Sequence, residues 1–127
     1  MTRPLRVDQA DIEIAHWDDP ARGTLAWKTL FSGDITATDS LVCGIAIMLA
    51  GDTFALHSHP QAEVYFGLEG KVDVMIDGQI HQLSPGVALF IPGGAVHGVP
   101  RAKGSARWFY TFAADRFDQI TYSFLPN

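Results

Sequence analysis

The sequence predicts an all-β domain, a sandwich or barrel built from eight or nine short strands. Three observations predict it. Short apolar runs recur along most of the chain, separated by Gly, Pro, Asp and Ser. Several runs alternate apolar and polar residues, the period of two that a half-buried strand requires. Helical periodicity is weak throughout. With 127 residues, 47% of them hydrophobic and 18% charged, the chain is sized for one domain around one core.

Residues 1–22 are polar and acidic without a clean period, and are expected to form an irregular arm or a short helix. The barrel is expected over residues 23–127, closing with a short C-terminal tail. Strands are predicted at 25–31, 41–49, 55–59, 63–68, 71–76, 79–83, 88–91, 97–100 and 107–112. Asp77-Gly78 lies between two alternating runs and marks a tight hairpin, because such a turn needs positive φ and glycine supplies it freely. Pro85-Gly86 and Pro92-Gly93-Gly94 mark further turns.

Charge and composition exclude several classes. The net charge is −5, and Lys and Arg are scattered along the sequence, so neither nucleic acid nor an anionic membrane is expected as partner. Cys43 is the single cysteine, which rules out an intrachain disulfide, and its place in LVCGIAIMLA suits a small buried hydrophobe. The N-terminal stretch has no apolar core of a signal peptide, and the longest apolar run, 41–50, is too short to span a bilayer. A cytoplasmic protein is expected.

The chemistry concentrates in GDTFALHSHPQAEVYFGLEG, residues 51–70. Alternation puts His57 and His59 on one strand face. It puts Glu63, Tyr65 and Gly67 on one face of the next strand, with Val64, Phe66 and Leu68 on the other. Folded back as a hairpin with both polar faces inward, these strands bring two imidazoles, a carboxylate and a phenol to one point. A buried cluster of that kind is unfavourable unless a metal or a hydrogen-bond network satisfies it. His97, in GVALFIPGGAVHGVPR, follows glycines that permit the turns needed to return it to the sheet. Three imidazoles and one carboxylate leave open positions on one divalent transition metal: Fe, Mn, Ni, Zn or Cu. His16 in the arm and His81 after the hairpin are expected at the surface.

The spacings match a known pattern. Gly51, five residues, His57-x-His59, three residues, Glu63, six residues and Gly70 resemble the first cupin motif. Gly86, five residues, Pro92-x-Gly94, two residues and His97 resemble the second, with Arg101 where that family usually has Asn. The resemblance covers residues 41–112 and implies a single-domain cupin jelly-roll β-barrel around a metal held by His57, His59, Glu63 and His97.

Within the cupins, HSHPQAEVYFGLEG followed by the tail TFAADRFDQITYSF looks like the small single-domain dimethylsulfoniopropionate lyases of marine bacteria. That resemblance implies cleavage of a small carboxylate substrate to acrylate and dimethyl sulfide, with Tyr65 as catalytic base and Tyr122 as a second active-site tyrosine. A sulfonium group is stabilised by aromatic faces, and Trp27 and Tyr110 are the residues assigned to that task. Two other readings use the same ligands: an Fe-dependent dioxygenase, and a non-catalytic module that binds a metal or small molecule. A homodimer is expected, since exposed strand edges in small cupins are often paired.

Overall fold

The computed structural model describes residues 2–126, so the terminal residue at each end of the expected arm and barrel lies outside the described residues. Eleven strands run in chain order: β1 (Ala15–His16), β2 (Ala26–Phe31), β3 (Val42–Met48), β4 (Phe54–Ser58), β5 (Glu63–Gly70), β6 (Val72–Ile76), β7 (Gln79–Leu83), β8 (Ala88–Ile91), β9 (His97–Val99), β10 (Ala106–Phe112) and β11 (Ser123–Phe124). They form two antiparallel sheets, ordered β1-β2-β3-β10-β5-β8 and β11-β4-β9-β6-β7. Within this order β3 pairs with β10, β4 with β9, β5 with β8 and β6 with β7. The chain from β3 to β10 is therefore one long ribbon folded at Asp77-Gly78, its successive strand pairs alternating between the sheets. That is the jelly roll.

The tip of the ribbon explains itself. Asp77 has φ 48° and Gly78 φ 81°, two successive left-handed residues, which is the two-residue turn whose twist matches the flanking strands.

The expected hairpin between the two motif strands is corrected. β4 and β5 lie in opposite sheets, and residues 59–62 cross between them. Pro60 cannot donate to a ladder, and four extended residues suffice to span the roughly 10 Å between packed sheets. Period-two alternation specifies which way a side chain points, and says nothing of which strand lies alongside. The inward direction of the side chains survives the correction. Along β5, Glu63, Tyr65 and Gly67 are buried while Val64 is half-buried and Phe66 exposed.

The arm holds two short 3-10 turns, Gln9–Asp11 and Pro20–Arg22, together with β1, which hydrogen-bonds to β2. Gln9 fastens it to the outer sheet face: Lys28 Nζ donates to its backbone carbonyl at 2.9 Å and Arg107 Nη2 to its Oε1 at 3.2 Å. On that same outer face Cys43 and Ile45 are buried, which is why β3 is a continuous apolar run. The inner core gathers Leu25, Val42, Met48, Val72, Val74, Leu83, Ile91, Val99 and Trp108. Among the described residues, no helix is long and apolar enough to cross a membrane.

Candidate metal centre and cavity

His57 on β4 and His97 on β9 are direct cross-strand partners, with ring centroids 4.2 Å apart. A bulge between Phe54 and His57 shifts the register of β4, so that both of these side chains turn inward. His59 follows one residue beyond β4, its ring 5.0 Å from that of His97. Glu63 opens β5 in the facing sheet. All four residues are at most 3% exposed.

The backbone sets the tautomers. His57 Nδ1 bonds to the carbonyl of Ala55 at 2.8 Å, His59 Nδ1 to that of Gln61 at 3.0 Å, and His97 Nδ1 to that of Ala95 at 2.9 Å. A carbonyl only accepts, so Nδ1 carries the proton in each ring and Nε2 presents a lone pair. The ligand atoms of the three rings lie within 4.8 Å of one another. Glu63 Oε1 stands 3.2 Å from His97 Nε2 and 3.3 Å from His59 Nε2, and His59 Nε2 has no hydrogen-bond partner. Acceptors facing acceptors at such distances repel unless a proton or a cation lies among them. Burial, with His97 and His59 close by, pushes His57 down to about 3, against the raising effect of its bond to Ala55. A nitrogen-rich, dehydrated donor set whose Nδ1 protons are already held by backbone carbonyls fits a divalent transition metal.

Beside the histidines lies a narrow cavity of about 30 Å³, partly open to solvent. His57 lines it from one sheet; Glu63 and Tyr65 of β5, with Trp108, Tyr110 and Phe112 of the neighbouring β10, line it from the other. Tyr65 and Tyr110 are register partners on β5 and β10, and Tyr110 is in turn opposite Gly44 on β3. A Cβ at Gly44 would collide with the Tyr110 ring and hydroxyl, so the glycine is what lets the tyrosine lie across β3. Tyr122 closes another side. The pairing of β11 with β4, Phe124 opposite His57, sets the Tyr122 ring 5.2 Å from His57 and 5.4 Å from His59.

Burial raises the phenol pKa values of Tyr65 and Tyr122 well above the ordinary range, and the Glu63 carboxylate raises both further. Both are neutral phenols in this site.

The structure thus brings Tyr65, Tyr122, Trp27, Tyr110, His57 and Glu63 around one cavity, with His59 and His97 buried in the cluster at its side. His16 and His81 are exposed and take no part. Sequence reasoning missed Trp17 and Phe117, which also line the cavity. Trp17 packs on Trp27 and Tyr122 at 5.0 Å each, under the Arg22 guanidinium. The available signal was a large apolar ring in the otherwise acidic stretch AHWDDP.

The chain is 38% identical over 124 residues to the dimethylsulfoniopropionate lyase DddW of Ruegeria pomeroyi, an alignment covering 98% of this chain and 82% of that protein. Among solved structures, the polyketide cyclase RemF from Streptomyces resistomycificus superposes with a TM-score of 0.81 at 21% identity, covering 98% of this chain and 89% of that one. A chain from the structures of the DMSP lyases RdDddP and RnDddQII superposes with a TM-score of 0.74 at 18% identity, covering 91% and 63%. Those two likenesses show the fold. Residues 44–112 match the cupin domain, and the chain belongs to the cupin family.

Proposed function

We propose that this protein is a metal-dependent lyase that cleaves dimethylsulfoniopropionate to acrylate and dimethyl sulfide. One observation carries the reading: three imidazole lone pairs converge beside a cavity that also holds Tyr65 and Tyr122. The near full-length similarity to a dimethylsulfoniopropionate lyase supports it. His57, His59 and His97, with Glu63 as fourth ligand, would hold the metal, which when bound supplies Lewis acidity toward the substrate carboxylate.

The residues of the chain do the rest. The rings of Trp17, Trp27, Phe117 and Tyr122 offer π faces to a sulfonium without hydrating it. Tyr65 takes the proton from the carbon next to the carboxylate. The electron pair of that C–H bond becomes the new C=C bond, the carbon–sulfur bond breaks, and its pair leaves on neutral dimethyl sulfide. As a neutral phenol in the resting site, Tyr65 must first give its own proton to water, which positive charge arriving in the cavity favours, and the substrate itself brings a cation. Tyr122, over His57 and His59, is assigned to orienting substrate or polarising Tyr65.

A dioxygenase or a binding module would use the same ligands, and the two tyrosines are what favour proton transfer over either. The reading includes a homodimer, supported by the exposed Phe66, Leu68 and Phe90 on neighbouring strands β5 and β8. The decisive experiment follows headspace dimethyl sulfide and oxygen uptake together, with Fe, Mn, Ni, Zn and Cu restored in turn. Dimethyl sulfide without oxygen uptake is expected. Oxygen uptake without it would move the assignment to the oxygenase class.

A further inference from the structure

Buried polar side-chain atoms that lack a partner are few in this chain, and they are not scattered. Of the five among the described residues, three are donors on residues lining the cavity: Trp17 Nε1, Trp108 Nε1 and Tyr110 Oη. Trp108 is 1% exposed and Tyr110 6%. They stand two residues apart on β10, so their side chains leave the same face of the strand. Burial raises the pKa of Tyr110; the Thr29 side chain acts the other way, yet stands outside hydrogen-bond geometry with the phenol. Native proteins seldom leave an indole N–H dry and unpaired, and where they do a missing acceptor is the first thing to look for.

We propose that the Trp108 N–H and the Tyr110 O–H form an oxyanion-binding pole of the cavity, donating to the oxygen of a ligand carboxylate that faces away from the histidines. This rests on the lyase reading for the identity of the carboxylate. Both donors are uncharged, and neither Arg nor Lys lines the cavity. Such a pole adds hydrogen bonds to a carboxylate without adding charge, and the absence of acidic lining beyond Glu63 leaves the cationic end of a zwitterion to the aromatic rings. The chemical class is a small zwitterionic carboxylate, with its cationic end among the rings of Trp17, Trp27, Phe117 and Tyr122, so that Tyr110, expected from the sequence to face the cation, serves the anion. Trp108 thereby becomes a specificity-determining residue, where its burial alone would suggest plain core.

The test uses the ¹⁵N-labelled full-length protein with Zn(II) added and β-alanine betaine as probe, a zwitterion whose ammonium is a poor leaving group. The three tryptophans give three indole N–H signals. A saturable downfield shift of the Trp108 signal is expected, assigned by its loss in Trp108→Phe. That variant keeps an aromatic ring without the N–H and should bind about 10-fold more weakly or worse, as should Tyr110→Phe. Saturation that leaves the Trp108 signal in place, wild-type affinity in Trp108→Phe, or no binding at all overturns the proposal. Should Trp108→Phe fail to fold, the wild-type titration and Tyr110→Phe carry the decision. Dimethyl sulfide release is scored separately. A moving Trp108 signal with no dimethyl sulfide retires the lyase reading alone, and dimethyl sulfide with a still Trp108 signal retires the pole alone.

Discussion

The carboxylate oxygen of Glu63 lies 3.2 Å from Nε2 of His97, a contact that needs a proton or a cation between the two atoms, while the Nδ1 proton of His97 is held by the Ala95 carbonyl. Neither residue would keep that arrangement for packing alone. We therefore expect purified protein to carry close to one first-row transition metal per chain. His57→Ala, His97→Ala and Glu63→Ala should each weaken metal affinity sharply, measured by elemental analysis and chelator competition. Full metal content in all three of His57→Ala, His59→Ala and His97→Ala would rule the site out.

Acid should act on the metal-stripped protein through His57. Its pKa falls from the ordinary 6.5 to about 3 on folding, so the unfolded chain takes the proton first. The native state is then at full advantage above pH 6.5 and loses it as pH falls from 6.5 toward 3. The slope approaches about 1.4 kcal/mol per pH unit for one group in that window. Urea midpoints between pH 7.5 and 4 check this. The slope should flatten in His57→Gln, and an unchanged slope would assign the acid sensitivity to other groups.

Gly44→Ala probes how Tyr110 is seated. The new methyl meets the Tyr110 ring, its hydroxyl, and the Lys28 carbonyl at 2.7 Å. Overpacking of this kind typically costs about 1–3 kcal/mol, and here it also displaces a cavity wall. A drop in thermal stability together with weakened ligand binding is expected. Gly44→Ala combined with Tyr110→Phe should recover little, because the ring itself is in the way. Full recovery would show the hydroxyl to be the sole obstacle.

Much of the fold is legible in the sequence. The nine expected strands all form, within two residues of their predicted ends, because Gly, Pro and Asp punctuate the turns between them. What stayed hidden has physical reasons. β1 and β11 are two residues each, too short to show any alternation, yet β11 is what carries Tyr122 over the histidines. The placement of β4 and β5 in opposite sheets depends on how residues 59–62 turn, and a turn-forming sequence serves a hairpin and a crossing equally well. Trp17 sits in a polar segment whose average character masks the one residue that docks.

Tyr65→Phe is the sharpest test of the reaction. Tyr65 is 2% exposed and packs 5.3 Å from Trp108, so phenylalanine keeps the ring in its place and removes only the hydroxyl. Metal content and fold should be retained. Activity on dimethylsulfoniopropionate should fall roughly 10²–10⁴-fold, the usual loss for a missing general base. The fall should appear in kcat, because the hydroxyl matters only once the proton is in flight. Burial and the Glu63 carboxylate hold this phenol neutral at rest, so a base role requires the positive charge of the loaded site to lower its pKa. A rate that rises with pH through the shifted phenol pKa, and loses that rise in Tyr65→Phe, would report that shift. Tyr122→Phe should lose less and raise KM, if that ring orients the substrate over His57 and His59. Near wild-type turnover in Tyr65→Phe with a large loss in Tyr122→Phe would exchange the two roles, since both phenols line the same cavity and both are held neutral by the same burial.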